Sequence, residues 1–546
     1  MSKFCYPDFT SFGRIAQNAN VIPVFREYMG DLLTPVGVFR KLVFSIDLGT
    51  VVDTANDESS VQRYTIPRCF LFESVEHSSA WGRYSFVGLN PLTTLITHGQ
   101  DVIVEENVLG EIPSKNGILK ALDFLLTKFS SPQPDVMPEM ASLPSLTSGI
   151  IGYLGYDVVR EVEEIGETPS DDLGVPDAIM SIIGDMVAFD HFRQKVFLIA
   201  NVIVDSNEQS VLEAAYASAV SRIDKLEQAL CSASGNSEKL LEIPPVPVSA
   251  SDILLGVRRQ VSKSEFTLAV NVAKESILSG DAFQIVLSQR FDLEEACDPF
   301  MVYRYLRQVN PSPYMYLVAN QEAVLVGSSP EPMVQLLDGT VISRPIAGTR
   351  KRGKTHREDE VLGAELRENP KELAEHVMLV DLARNDLGRI CEFSSEQVDE
   401  LMTLESYSHV MHLTSQVSGK LENGKGPIDV LKATLPAGTV TGAPKVSAMK
   451  IINSLEKTKR GPYAGVVGYF DFSGNLDTAI TIRTMVFTPA GKITVQAGAG
   501  IVADSDPEME DLECINKASA LLAVGKCAAT CKEASLQKDK IGKSGA

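Results

Sequence analysis

Three strand-like segments near the carboxyl end of the chain constrain its fold most strongly. They cover residues 463–472, 478–487 and 492–503 and are rich in β-branched and aromatic side chains. Turn-forming residues separate them: Ser-Gly-Asn after the first segment and Pro-Ala-Gly after the second. Connections this short join antiparallel neighbours, because a parallel crossover needs a dozen or more residues. The pattern predicts an antiparallel meander, and helical segments before and after it indicate the α+β class.

A segment rich in proline and serine, residues 231–251, divides the chain into two regions. Breaks of this composition are typical of linkers and long loops. This one predicts an N-terminal region at residues 1–230, a linker at residues 231–260 and a C-terminal region at residues 261–525. Beyond residue 525 the apolar periodicity is lost, so we expect residues 526–546 to form a flexible tail.

Charge and cysteine usage argue against several classes of protein. The 50 Lys and Arg residues stand against 71 Asp and Glu, a net charge of −21, which disfavours nucleic acid and anionic membrane surfaces as partners. No run of about 18 apolar residues exists, and the N-terminus lacks the apolar stretch of an export signal. The eight cysteines are scattered, with no Cys-x-x-Cys pair. We therefore expect a cytoplasmic protein with no nucleic-acid or membrane partner.

Paired carboxylates stand in the first turns of two predicted helices. In both segments a capping residue precedes a proline, at Asn369-Pro370 and Asp506-Pro507, which fixes where each helix begins. The acids then share one helix face three residues apart: Glu372 with Glu375, and Glu510 with Glu513, followed by Lys517. Carboxylate oxygens suit Mg²⁺, which keeps several water ligands. The alternative is that these acids are solvated and only stabilise the helix dipole.

Other polar groups in the C-terminal region are compatible with an anionic ligand. Arg483 falls within an apolar strand segment, where a buried guanidinium needs a carboxylate or a ligand. Glycines at 498 and 500 allow a ligand to approach the backbone, or else mark a β-bulge. Residues 435–445 have the character of an anion-binding loop that enters a helix at Pro444, but they lack P-loop spacing. His412 is more typical of a satisfied core histidine. These patterns alone name no reaction.

Four long motifs carry a family resemblance that covers residues 20–523. They lie at residues 344–350, 375–386, 438–445 and 496–500. In sequence and in order they resemble the chorismate-utilising enzymes, most closely the large subunits of anthranilate synthases. The resemblance implies two large antiparallel sheets packed as a sandwich with flanking helices. It also implies that residues 261–525 form the chorismate-binding catalytic region.

The resemblance implies a role for each candidate site residue. Glu375 and Glu513 would hold Mg²⁺, with Glu372 and Glu510 supporting it from the second shell or through water. His412 would lie near the departing 4-hydroxyl of chorismate, as a catalytic group that gives the proton, and Thr439 would join it from the loop. The residues that would bind chorismate are Gly348, Thr349, Tyr463, Arg483, Gly498, Ala499, Gly500 and Lys517.

The implied reaction adds ammonia to C2 of chorismate as the C4 hydroxyl leaves, and then eliminates pyruvate to give anthranilate. Family members that use other nucleophiles carry a lysine where this chain has Ala347 or Gln284, which favours ammonia. Since none of the cysteines lies in a Gly-x-Cys-x-Gly turn, a separate glutamine amidotransferase subunit is expected to supply it, in an α2β2 assembly. The alternatives are an aminodeoxychorismate synthase large subunit and a non-catalytic tryptophan-binding subunit. Phosphoryl transfer ranks last.

Two segments resemble the tryptophan feedback site of the same family. The first, residues 71–74, reads Leu-Phe-Glu-Ser, and the second, residues 310–315, reads Asn-Pro-Ser-Pro-Tyr-Met. The residues implied to bind L-tryptophan are Glu73, Ser74, Pro313, Tyr314 and Met315. The alternative is that the first segment merely ends a strand and the second makes a turn.

Overall fold

A computed structural model describes residues 4–45, 67–74, 82–106, 109–232, 253–406 and 410–543. Most of the predicted linker at residues 231–260 lies outside these ranges. The described α-helices are α1 (Phe9–Ile15), α2 (Pro35–Ser45), α3 (Ile118–Lys128), α4 (Gln209–Cys231), α5 (Lys263–Leu278), α6 (Pro299–Val309), α7 (His356–Glu368), α8 (Pro370–Leu387), α9 (Pro427–Thr434), α10 (Gly438–Thr441), α11 (Lys445–Leu455) and α12 (Pro507–Lys543).

The strands in the first half of the described chain are β1 (Val21–Met29), β2 (Cys69–Glu73), β3 (Tyr84–Leu89), β4 (Thr93–His98), β5 (Asp101–Glu105), β6 (Gly149–Leu154), β7 (Ala178–Ile182), β8 (Asp185–Asp190), β9 (Lys195–Ile203) and β10 (Val257–Arg259). The later strands are β11 (Gln284–Leu293), β12 (Tyr314–Ala319), β13 (Val324–Ser329), β14 (Pro332–Leu337), β15 (Thr340–Ser343), β16 (Ile346–Lys351), β17 (Gln397–Ser406), β18 (Val410–Lys420), β19 (Gly442–Ala443), β20 (Val466–Asp471), β21 (Leu476–Ile480), β22 (Thr484–Phe487) and β23 (Ile493–Ile501).

The strands form two large antiparallel sheets, which confirms the predicted fold class. The 12-stranded sheet has the order β1-β9-β8-β3-β2-β12-β13-β22-β23-β11-β10, with β19 paired to β11. The 11-stranded sheet has the order β16-β18-β15-β14-β21-β20-β6-β7-β4-β5, with β17 paired to β18. Apolar side chains of both sheets share one buried cluster, and Phe86 of β3 meets Tyr469 of β20 with ring centroids 6.3 Å apart. The sheets therefore pack face to face around a common core.

Both sheets draw strands from both sides of the predicted linker. In the 12-stranded sheet β2, from the N-terminal region, pairs with β12 from the C-terminal region. In the 11-stranded sheet β6 pairs with β20 in the same way. The two regions thus share their sheets and their core.

The predicted C-terminal meander is wrong in one respect. β20 pairs with β21 in the 11-stranded sheet, whereas β22 pairs with β23 in the 12-stranded sheet. The predicted strand at residues 478–487 is broken at residues 481–483, where the chain passes from one sheet to the other. Arg483 lies in this break with φ of 51°, so it is not a strand residue. Alternation of side chains cannot reveal this change, because the apolar pattern continues on both sides of the break.

A second segment crosses between the sheets beside the first. The chain leaves β13 of the 12-stranded sheet and enters β14 of the 11-stranded sheet through Pro330 and Glu331. We call residues 330–331 and 481–483 together the crossing seam. Backbone hydrogen bonds join its two parts: Ile480 N donates to Glu331 O at 3.1 Å and Ser328 N donates to Arg483 O at 3.1 Å. The seam fixes Glu331 and Arg483 relative to each other.

The C-terminal helix is longer than the sequence predicts. α12 continues to Lys543, through most of the segment expected to be a flexible tail, residues 526–546; that flexibility stays a prediction. In the part of the chain that the structure describes, no helix is long and apolar enough to cross a membrane.

Candidate active site and a second cavity

A cavity of about 600 Å³ opens at the crossing seam and collects most of the predicted site residues. Both crossing segments line it, together with the first turns of α8 and α12. The predicted residues on its wall are Gly348, Glu372, Glu375, His412, Thr439, Tyr463, Arg483, Gly498, Gly500, Glu510, Glu513 and Lys517. Residues that are more than 100 positions apart in the sequence thus meet in one concave site.

The two acidic helices begin where the sequence predicts. Glu372 N donates to the Asn369 side-chain oxygen at 3.2 Å at the start of α8. At the start of α12, the Asp506 carboxylate accepts from the backbone of Glu508 at 2.9 Å and of Met509 at 3.1 Å. These caps set the rotation of each helix, and all four predicted carboxylates consequently face the same cavity.

The acidic groups form a donor set that suits a hydrated hard cation. Glu372 is paired with Arg350 at 3.0 Å, and Glu513 with Lys517 at 2.7 Å. Among the residues that the structure describes, no three His, Cys, Asp or Glu side chains cluster closely enough to hold a metal ion. A cation here would take a few carboxylate oxygens and complete its shell with water and ligand oxygens, which is how Mg²⁺ is commonly bound. The residues present therefore fit Mg²⁺.

Two cations line the same cavity as these carboxylates, and one of them, Lys517, is paired with Glu513 on the same helix. Arg483 is largely buried, and burial lowers its pKa although nearby Glu513 raises it. Within the described ranges no carboxylate forms an ion pair with Arg483; one of its nitrogens donates to the backbone oxygen of Lys517 at 2.5 Å. The Lys517 ammonium donates to Gly498 O at 3.0 Å. An anionic ligand would give the Arg483 guanidinium the partner that a buried charge needs.

Backbone geometry explains two of the predicted glycines. Gly348 has φ of 66°, and a Cβ there would lie 2.8 Å from a methyl carbon of Leu366. Its carbonyl oxygen accepts from His412 Nδ1 at 3.1 Å. A Cβ on Gly498 would lie 2.7 Å from the Tyr463 hydroxyl. At both positions a side chain would displace part of the cavity wall.

Two predicted residues do not have side chains on the described cavity wall. Ala499 is fully buried in the apolar cluster that α5 shares with β11 and β23, because alternate residues of a strand face opposite sides. It can contribute only its backbone. Thr349 pairs with His412 between β16 and β18, and its side chain lies outside the described part of the structure.

The middle of the loop at residues 435–445 lines the cavity, but Lys445 at its end does not. Thr439 and Val440 line the cavity. Lys445 is paired with Asp386 at 2.9 Å and also donates to Thr434 O at 3.0 Å. Its charge is therefore already matched by a buried carboxylate and is not presented to an anion.

The sequence prediction missed Glu331. This residue is partly buried in the crossing seam, lines the cavity and faces the Thr439 hydroxyl. Burial is the main cause that raises its pKa to about 7, and Thr439 and Lys517 oppose that shift. The available signal was an acidic residue between two prolines, Pro330 and Pro332, at the end of an apolar strand. A residue that precedes proline is held in an extended backbone conformation.

A second cavity, of about 700 Å³, collects all five residues predicted to bind an inhibitor: Glu73, Ser74, Pro313, Tyr314 and Met315. Antiparallel pairing of β2 with β12 sets Glu73 opposite Met315. The Glu73 carboxylate accepts from the buried Tyr303 hydroxyl and is paired with Arg307 at 3.4 Å. The Ser74 hydroxyl is buried and has no hydrogen-bond partner among the described residues. The structure brings the two segments together at one cavity, and their role as an inhibitor site stays a prediction.

Another carboxyl group lines this second cavity. Asp477 of β21 accepts from the Tyr314 hydroxyl at 2.9 Å, and burial raises its pKa to about 6. Gln335 in turn donates to the Tyr314 oxygen at 3.2 Å. The cavity is thus lined by the carboxyl groups of Glu73 and Asp477 and by aromatic rings, from Phe72, Tyr84, Phe86 and Tyr469.

Comparisons with known proteins agree with this site. Residues 68–523 match the family described as chorismate binding enzyme. The chain is 41% identical to anthranilate synthase component 1 of Acetivibrio thermocellus, over 95% of this chain and 98% of that protein. It is 43% identical to the protein of the same name from Synechocystis, over 94% of this chain and 98% of that one. The crystal structure of anthranilate synthase component I from Streptococcus pneumoniae superposes with a TM-score of 0.70 at 34% identity, covering 90% of this chain and 98% of that chain.

Substitution of Glu331 by Gln should make the protein more stable at high pH. The pKa of Glu331 is raised from 4.5 to about 7 in the fold, so the native state binds the proton more tightly than the unfolded state does. The free-energy cost of ionising Glu331 in the folded state is absent below the pKa of the unfolded state. It grows as the pH rises between the two pKa values and is complete above the pKa of the folded state. It amounts to about 3 kcal/mol. Denaturant unfolding from pH 5 to 8 should show an advantage of E331Q that widens with pH; a constant difference would contradict the assignment.

Proposed function

The chain belongs to the chorismate-binding enzymes, as its match to that family and its identity to anthranilate synthase component 1 proteins show, and from this premise we propose its reaction. It is the large subunit of an anthranilate synthase. It converts chorismate and ammonia, through an aminodeoxy-isochorismate intermediate, to anthranilate and pyruvate, the first committed step of tryptophan biosynthesis. One observation carries the proposal: a single cavity brings together Arg483, Lys517 and four carboxylates on two helices.

Chorismate has two carboxylates, and the cavity has a different means of binding each. Arg483 and Lys517 provide positive charge at the cavity wall, where a low-dielectric environment strengthens their attraction for an anion. Glu375 and Glu513 would hold Mg²⁺ in the same cavity, with Glu372 and Glu510 acting through water. When bound, Mg²⁺ supplies charge neutralisation and polarisation of the ring carboxylate. The backbone of residues 498–500 and the Tyr463 ring then fix the orientation of the substrate.

Departure of the C4 hydroxyl needs a proton donor, and Glu331 is the better suited of the two candidates. Its pKa of about 7 keeps much of the carboxyl protonated near neutral pH, and a general acid works best with such a value. Burial lowers the pKa of His412, and Arg483 lowers it further. His412 Nδ1 donates to Gly348 O, so in the neutral ring the other nitrogen carries no proton to give. His412 then orients the leaving hydroxyl by accepting from it.

The nucleophile is ammonia. Ala347 and Gln284 line the cavity at the positions where relatives that use a lysine would carry one. The lysine that does line it, Lys517, is engaged by Glu513 and by Gly498 O. Ammonia would come from a glutamine amidotransferase partner, in line with the component 1 naming of the relatives. An aminodeoxychorismate synthase, the second candidate, shares this binding chemistry and differs in its product.

The second cavity is proposed to bind L-tryptophan as a feedback inhibitor. Glu73 offers a buried carboxylate for the ammonium group of an amino acid, and the unpaired Ser74 hydroxyl offers a hydrogen bond. The aromatic walls suit an indole ring. A non-catalytic regulatory subunit would keep this cavity alone, but the complete set of charged groups in the first cavity favours an enzyme.

The direct test is product identification. The purified chain, given chorismate, Mg²⁺ and an ammonium salt at alkaline pH, should form fluorescent anthranilate, and chromatography should show pyruvate in equal amount. Accumulation of 4-amino-4-deoxychorismate would move the assignment to the folate branch. Tryptophan binding without any turnover would leave only the regulatory alternative.

Replacement of Glu513 by Gln should abolish turnover but not tryptophan binding. Loss of groups that only support a metal ligand lowers activity by about 10- to 100-fold, so loss of a ligand should lower it further. Glu508 provides the control: it lies on the same helix and is paired with Lys263, and E508Q should retain full activity. Steady-state assays across a Mg²⁺ titration measure both; an unchanged E513Q would refute the ligand role.

Variants of Glu331 and His412, the two candidate proton donors, should differ in their effects on kcat and on its pH dependence. E331Q should lower kcat by about 100- to 10,000-fold, the range for loss of a general acid, while chorismate binding persists. H412N should lower kcat less and keep the same pH profile on its alkaline side. If the alkaline limb instead disappears in H412N and remains in E331Q, the donor is His412.

Replacement of Ser74 by Phe should relieve tryptophan inhibition and preserve the chemistry. The larger ring occupies the part of the second cavity beside Ser74, where it would clash with a bound inhibitor, and a cost of about 1–3 kcal/mol corresponds to roughly a 5- to 150-fold rise in the inhibition constant. S232F, at the exposed residue after α4, is the control. The measurement is tryptophan inhibition of the ammonia-dependent reaction in each variant. Unchanged inhibition of S74F by tryptophan would mean that tryptophan binds elsewhere.

A further inference from the structure

Arg460 lies behind the wall of the active-site cavity and not on it. Its side chain is 1% exposed and forms a two-point ion pair with Glu456, four residues earlier. Arg460 Nε donates to one carboxylate oxygen at 2.7 Å and Nη2 donates to the other at 2.7 Å. Such a planar, two-point pairing fixes the orientation of the guanidinium.

The remaining donors of Arg460 hold two separate parts of the cavity wall. Nη1 donates to Val440 O at 2.8 Å, and Nη2 donates to Val286 O at 2.8 Å. Both valines line the cavity. Val440 belongs to α10 and follows Thr439, whereas Val286 belongs to β11. One buried guanidinium therefore joins a helix and a strand that are more than 150 residues apart.

Glu456 extends the connection to a second strand. Its Oε1 accepts from Ser288 N at 2.8 Å and from Ser288 Oγ at 2.9 Å. Ser288 Oγ in turn accepts from Gln496 Nε2 at 2.9 Å, and Gln496 lines the cavity from β23. All of these groups are buried or nearly so, which makes each unmet hydrogen bond expensive.

The Arg460 guanidinium also supports the aromatic part of the wall. Its Cζ lies 5.6 Å from the centroid of the Tyr463 ring and 4.7 Å from that of Tyr156. A cation over the ring face attracts the ring electrostatically. Tyr463 is thus held from behind while its other side lines the cavity.

We propose that Arg460 and Glu456 are positioning residues, whose ion pair holds the Val440, Val286, Gln496 and Tyr463 parts of the wall in the arrangement that binds chorismate. This assignment rests on the proposed function. Stability alone does not explain the pair, since apolar residues of similar volume often stabilise a core as well as a buried ion pair does. What apolar residues, or a lysine, cannot supply is a planar fork that bonds a carboxylate and two carbonyl oxygens at once.

The test compares R460K with R290K. Arg290 is the matched control. Its side chain is 2% exposed and paired with Asp172 and Asp292, but it lines neither cavity. R460K should lower kcat/KM for chorismate by about 100-fold, the effect of a misplacement of about 1 Å, and should weaken chorismate binding in calorimetry. R290K should leave both within about twofold of the wild type. Thermal unfolding should shift by similar amounts in the two variants.

Two further measurements keep the result interpretable. Guanidinium ion at millimolar concentration should restore part of the activity of R460A but none in R290A, since only the first variant lacks a group that orders the site. R460K with wild-type chorismate binding, or R290K with an equal loss, would overturn the positioning role. If the wild type makes no anthranilate, the proposed function fails; weaker chorismate binding by R460K than by the wild type would still support the ion pair's role.

Discussion

The passage of two chain segments from one sheet to the other is the constraint on which the site depends. At each passage the backbone leaves one hydrogen-bonded ladder and must find other partners before it enters the next. The two segments solve this by bonding each other, with Ile480 donating to Glu331 and Ser328 donating to Arg483. A carboxyl and a guanidinium are thereby fixed at one point between the sheets, in a position that neither sheet alone could provide.

Electrostatics explains why such an acidic chain can bind a dianion. The net charge of −21 acts over a screened distance of about 10 Å, so the local arrangement in the cavity decides binding. Desolvation favours the neutral form of Glu331 and raises its pKa to about 7, which removes part of one negative charge from the site near neutral pH. Arg483 forms no ion pair with a carboxylate among the described residues and donates to the Lys517 backbone. Both features favour an anion as the occupant.

The sequence was informative where a local rule determines the outcome. The Asn369 and Asp506 caps fix the start and rotation of α8 and α12, and four carboxylates follow from them. It was uninformative where the outcome depends on a distant strand. The break at Arg483 and the importance of Glu331 arise from hydrogen bonds across about 150 residues, and no periodicity within either segment encodes them. The role of Arg460 could not be predicted for the same reason, because its partners lie on three different elements.

The same strand that ends in the crossing seam also forms part of the second cavity. β21 carries Asp477, which accepts from Tyr314 on the wall of that cavity, and three residues later Ile480 is bonded to both Ser329 and Glu331. A packed strand has little compressibility, so a shift at one end displaces the other. A ligand of the second cavity that displaced β21 would therefore also displace Glu331 and Arg483. The proposed feedback inhibition would then require no contact between the inhibitor and the substrate, only a strand common to both cavities.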